Sequence, residues 1–195
     1  MIGNHHLGVG PAREVDILKG ANCAYRTVLL RAVGFDTRLL GKGAQVNWEM
    51  GIGFALRKAG WKLIFDPAVL VHHHVAQRFG DDLLHRGIFK VEPYIEAVHN
   101  ETLFLWEYLS PVRRFAFLLW AFLVGYSFAP GLAQIARARF SADARKRLLP
   151  MIRGRMAGIQ TARTMPPPGT EPPRPETLRE ATPTNPPIET VTGKK

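Results

Sequence analysis

Cysteine is almost absent from this chain. Cys23 is the only one, so no internal disulfide staples the fold, and a reducing compartment is compatible with it. Acidic residues are few as well: 16 Asp and Glu oppose 26 Lys and Arg, a formal charge of +10. The excess is local. Residues 137–164 carry eight basic side chains against Asp143 alone, whereas the stretch from Met165 to Lys195 balances four acidic residues with four basic ones. Aromatic residues are scarce among the clustered arginines, and no zinc, helix-turn-helix or RNA-recognition signature accompanies them, which argues against nucleic acid as a partner. An anionic membrane surface beside an apolar segment accounts for the same charge better. Met1 to Gly10 has neither a basic start nor an apolar run, so it does not read as a signal peptide.

What is present falls into three unlike regions. With 195 residues there is room for one domain and a tail, and a hydrophobic share of 46% is globular on average. Residues 1–110 alternate short strand and helix patterns. Val15 to Leu18 reads as a strand and Thr27 to Val33 as a helix closed by Gly34. A helix from Val46 to Ala59 follows, then strands at Trp61 to Phe65 and Ala68 to Val71. Asp81 to Ala97 reads as helix around a break at Pro93, and Asn100 to Leu109 as an amphipathic helix ending before Pro111. Residues 111–164 contain 22 positions without a charge, Phe115 to Ala136, between arginine pairs. Residues 165–195 hold nine of the fifteen prolines and no aromatic side chain, so a disordered, polyproline-like tail is expected there.

The Val46–Ala59 segment is apolar on every side of the helical wheel, as in a helix packed inside an α/β core. One carboxylate, Glu49, sits within it. A buried carboxylate is costly unless something pairs with it or uses it. A structural Glu bonded to an arginine or to backbone is one reading; a working acid or base is the other.

The surrounding residues bear on that choice. Gly20-Ala21-Asn22, Tyr25-Arg26 and Val33-Gly34-Phe35-Asp36 resemble a run found in family 2 glycosyltransferases. Glu49 before Ala59-Gly60-Trp61, then Phe65-Asp66-Pro67 with histidines shortly after, resemble the same family in the same order. The likeness covers residues 4–100. It implies an α/β fold: the C-terminal, acceptor-side half of a GT-A domain, followed by a hydrophobic membrane helix and the disordered tail. The family's donor-binding half ends in a D-x-D motif, and none occurs in this sequence. The chain is therefore expected to be inactive alone: a gene fragment, a late start-site assignment, or one half of a split enzyme whose partner would be a separate donor-binding half.

The resemblance also assigns roles. Inverting transfer needs a base for the acceptor hydroxyl, a group that stabilises the departing nucleoside diphosphate, and alignment of donor and acceptor. Glu49 takes the place of the base. The family commonly carries an acidic pair here, and this chain has Trp48-Glu49, so only the second position is filled. His73 matches the histidine that helps hold a divalent cation, manganese or magnesium, on the diphosphate; His72 or His74 could substitute. Gly20 and Asn22 would approach sugar or acceptor, and Gln45 and Trp48 would line the acceptor pocket, with core packing as the other role for Trp48. His99-Asn100-Glu101 resembles a recurring piece of the subgroup without an evident mechanism.

Phe115 to Ala136 is long enough to cross a bilayer, but Pro130-Gly131 interrupts it and arginines flank both ends. A re-entrant or interfacial helix is expected, with residues 137–155 on anionic headgroups at the cytoplasmic face of the cell membrane. The function implied is transfer of a sugar from a nucleotide-sugar donor to a glycan or lipid-linked acceptor of an envelope or polysaccharide. The alternative is a non-catalytic, membrane-associated assembly module built on the same half-fold.

Overall fold

The structure is a computed structural model and describes residues 10–20, 22–42, 45–71, 89–137 and 142–181. Among these the protein is mixed but mostly helical. It has a two-stranded antiparallel sheet, β1 (Arg13–Val15) on β2 (Leu63–Phe65), with Val15 opposite Leu63. Seven helices accompany it: α1 (Thr27–Val33), α2 (Trp48–Lys58), α3 (Val91–Tyr108), α4 (Pro111–Leu123), α5 (Leu132–Arg137), α6 (Ala142–Thr164) and α7 (Pro175–Ala181).

Local chemistry explains the boundaries near the site. Gly34 closes α1 at φ 68°, its N–H returning to the Leu30 carbonyl. Asn47 starts α2 in the left-handed region, φ 72°, a conformation that asparagine tolerates better than most residues. Its side-chain amide donates to the Ala97 carbonyl at 3.2 Å, which ties the start of α2 to α3. Arg57 and Lys58 fill the last turn of α2, where the helix dipole favours cations. Pro93 lies in the first turn of α3, where a missing N–H costs little, so the break expected at that position does not occur.

Three packed clusters hold these elements together. Val15, Leu29, Ile52, Leu56 and Leu63 join the sheet to α1 and α2. Met50, Leu103 and Phe104 join α2 to α3, and a Cβ at Gly51 would enter the Phe104 ring. Tyr94, Val98, Ala129 and Met151 join α3 to α6 and to the turn before α5. The most extensive helix pairing is α3 with α6. Gly154 and Gly158 permit it, since a side chain at either would meet the backbone or β-carbons of α3.

Several expectations are corrected. The apolar stretch 115–136 is not one helix. α4 ends at Leu123, a tight reversal bridges Gly125 to Pro130, and α5 begins at Leu132. Gly125 takes φ 64° with backbone packed where a Cβ would lie, and the Gly131 N–H turns back to the Val124 carbonyl. No helix among the described residues is long and apolar enough to cross a membrane. Arg155, expected on headgroups, is fully buried: it pairs with Glu101 at 2.7 Å, donates to Thr102 at 2.9 Å and lies over the Phe117 ring. Ala68 to Val71 is a turn rather than a strand, begun by the Asp66 carboxylate accepting from the Ala68 N–H.

The segment after Met165, expected to be disordered, follows a packed course as far as Ala181. The Trp61 indole donates to the Pro173 carbonyl at 2.7 Å, and the Thr170 N–H donates to the Ala32 carbonyl at 2.8 Å. Leu178 of α7 packs on the cluster around Leu56. Composition misled here because prolines suit an extended strap that is anchored by its carbonyls and by a few apolar side chains.

Candidate active site

Glu49 is the second residue of α2. The preceding turn places it beside the Gly20 turn that leaves β1, 29 positions away in sequence. The Gly20 N–H donates to Glu49 Oε1 at 3.1 Å. The contact requires glycine: a Cβ there would overlap the carboxylate oxygen and crowd the Trp48 ring. Glu49 is half-buried rather than buried, so the desolvation argument from sequence overstated its isolation. Its position in the first turn of α2 suits a negative charge.

Two residues that sequence reasoning left out of the site lie within reach of the carboxylate's charge. Burial and then the Glu49 charge push the Cys23 thiol up from its ordinary 9.0. Burial, then Cys23, then Glu49 raise the Tyr25 phenol well above 10.0. Both groups are therefore neutral at physiological pH; the Cys23 thiol donates to the Gly20 carbonyl at 3.9 Å, and the Tyr25 hydroxyl is buried without a hydrogen-bond partner among the described residues. Their sequence signal was their place in the Gly20–Arg26 run, where Tyr25-Arg26 follows Gly20-Ala21-Asn22.

The other expected site residues divide. Trp48 sits against Gly20 and packs on both neighbouring apolar clusters, with Phe35 tilted 5.9 Å away, so core packing is its principal contact. Asn22 is exposed and its amide donates to the Val69 carbonyl at 3.0 Å, joining the Gly20 turn to the segment that leads into His72. Gln45 turns back onto the Leu39 carbonyl at 3.3 Å. His73, with His72 and His74, lies outside the described residues. Among the described residues no three His, Cys, Asp or Glu side chains converge.

What holds the site in place is the triplet His99-Asn100-Glu101, for which sequence gave no mechanism. Asn100 is fully buried and clasps the loop before α2. Its Oδ1 accepts from the Leu40 N–H at 2.9 Å, and its Nδ2 donates to the carbonyls of Leu40 at 2.9 Å and Val46 at 3.0 Å. His99 lies between Asn100 Oδ1 and Thr161 Oγ1, each at 2.9 Å, and so links the clasp to α6. Glu101 pairs with Arg155 and accepts from the Tyr126 hydroxyl at 3.0 Å. Nearby, Arg38 is buried between Asp36 and Glu107 and also donates to the Met165 carbonyl. Those partners outweigh the cost of its burial and raise its affinity for the proton further.

A cavity of about 30 Å³, room for one water, lies between Phe35, Arg38, Trp48 and Tyr108. A wider cleft of about 310 Å³ runs between α2 and the strap, past Lys58, Tyr108 and Gly169. Neither is lined by Glu49. Comparison with protein-family models, with characterised proteins and with solved structures gave no match for this chain.

Proposed function

We propose that this chain is the acceptor-side half of a GT-A glycosyltransferase of the family 2 type, with Glu49 as the base. The observation that supports this most is the meeting of Gly20, Trp48 and Glu49, residues singled out separately by resemblance, around one carboxylate at the start of α2. One carboxylate oxygen accepts from the Gly20 amide, which orients the group, and the other is left to take a proton. In the step proposed, the acceptor oxygen bonds to the anomeric carbon as its proton passes to Glu49. The bond from that carbon to the nucleoside diphosphate breaks, and the diphosphate leaves with the electron pair.

By the resemblance, Asn22, whose amide is tied to the Val69 carbonyl, would meet an acceptor or sugar hydroxyl. A donor-binding half, on the same or a separate polypeptide, would present the nucleotide-sugar. Manganese or magnesium, with His73 as the proposed ligand, would neutralise the diphosphate when bound. The test is label transfer from a panel of UDP-, GDP- and dTDP-sugars into endogenous acceptors, in membranes of cells carrying the gene and of cells lacking it. Gene-dependent incorporation that Glu49→Gln abolishes is expected. Equal labelling with and without the gene would favour the non-catalytic assembly module.

A further inference from the structure

α4 is amphipathic in the wrong sense for a helix on a soluble surface. Its outward face is apolar: Val112, Phe115, Leu119, Trp120 and Leu123 are 79%, 70%, 51%, 43% and 45% exposed. They recur at helical spacing on one side of α4, and Val124 and Leu132, on either side of the reversal, are exposed as well. The inward face is taken up by the protein: Ala121 is buried, Phe117 lies beneath the Arg155 guanidinium, and Phe122 packs on the Tyr94 cluster. The outward residues therefore form a contiguous patch, not scattered surface apolar groups.

Charge decides what covers it. Between Glu107 and Asp143 the chain has no acidic residue, while Arg113, Arg114, Arg137 and Arg139 bracket the apolar stretch. Arg113 and Arg137 are exposed at the outer ends of α4 and α5; Arg114 is turned back onto the Glu107 and Leu109 carbonyls. Trp120, held by stacking on the inward-facing Tyr126 with ring centroids 6.2 Å apart, is a partly exposed tryptophan of the kind that settles at a lipid–water boundary. The thirteen residues of α4 reach about 20 Å, short of the roughly 30 Å of a hydrocarbon core.

We infer that α4 lies in the plane of an anionic bilayer, with Phe115, Leu119, Trp120 and Leu123 at the headgroup–acyl boundary and Arg113 and Arg137 on lipid phosphates. The docking is monotopic: one face of α4 enters and α4 does not cross. It goes beyond the transfer reading, since neither Glu49 nor Gly20 takes part and its test reads binding alone.

The test is flotation of the purified full chain with vesicles of phosphatidylcholine, or of phosphatidylcholine with phosphatidylglycerol. The wild type is expected to float with the anionic vesicles and to be weakened by salt. Phe115→Glu and Leu119→Glu, at exposed positions, are expected to lower association by about 10- to 100-fold each, with unchanged circular dichroism. A variant that misfolds is replaced by a reading on the wild type. Lipids brominated in the upper acyl chain should quench tryptophan emission, and Trp120→Phe should remove most of that quenching. The inference is overturned if the wild type stays with the unbound fraction, if both glutamate variants float as well as it does, or if Trp120 is not quenched. It is overturned equally if the wild type self-associates without floating and the glutamate variants make it monomeric, since the face then belongs to a second copy.

Discussion

Asn100→Ala should be among the most damaging single changes in the protein, although Asn100 touches no expected substrate. Its side chain makes three hydrogen bonds to the backbone of the loop before α2, at 2.9, 2.9 and 3.0 Å, from a fully buried position. Each is worth about 1 kcal/mol net, so their loss costs about 3 kcal/mol, and more where a carbonyl is left without water. That is a large part of the roughly 5–15 kcal/mol that holds a domain folded. Urea unfolding should show the loss as a lower midpoint with an unchanged slope. Hydrogen exchange should show it locally, as lost protection of the Leu40 amide. Asn100→Asp, which keeps the acceptor but turns a carboxylate on the Leu40 and Val46 carbonyls, should be no milder. A change of less than about 1 kcal/mol in Asn100→Ala, with Leu40 still protected, would refute the reasoning.

Arg155→Met leaves Glu101 in the interior without its cation, and a loss of about 3–5 kcal/mol is expected by denaturation, partly recovered by adding Glu101→Gln. Gly20→Ala should displace the Glu49 carboxylate and cut transfer while changing stability by no more than about 1 kcal/mol, because Gly20 does not need a left-handed backbone. Burial, opposed by the Asn100 hydrogen bond, lowers the His99 pKa from 6.5. The unfolded chain therefore binds the proton first as pH falls: stability is fully present above about 6.5 and is lost below it, by at most about 1.4 kcal/mol per pH unit. His99→Gln should remove that part of the slope in a pH series of unfolding curves.

The elements whose pattern is local were legible in the sequence. The Thr27–Val33 helix with Gly34, the Val46–Ala59 helix to within two residues, and the Leu63–Phe65 strand all follow from apolar spacing and glycine stops. The pairing of Glu49 with the Gly20 turn was implied only by resemblance, because no local pattern encodes a contact across 29 residues. The roles of Asn100 and Arg155 were hidden for the same reason: each acts through partners more than fifty positions away. Length and hydropathy overstated the 115–136 stretch because they weigh apolar side chains, whereas Gly125 and Pro130-Gly131 decide where the backbone turns. Proline content likewise hid the strap. It cannot register that Trp61 and Ala32 offer hydrogen-bond partners to the chain beyond Met165.

The account turns on Glu49 acting as a base, and steady-state kinetics of Glu49→Gln against wild type, with the donor that supports labelling, test it most directly. Gln keeps the shape of the side chain and its acceptor for the Gly20 amide but cannot take the acceptor's proton. The prediction is a fall in kcat of about 10²–10⁴-fold with donor affinity nearly unchanged. A variant that turns over at the wild-type rate would reduce Glu49 to a packing residue held by Gly20, and the proposed chemistry would fall with it.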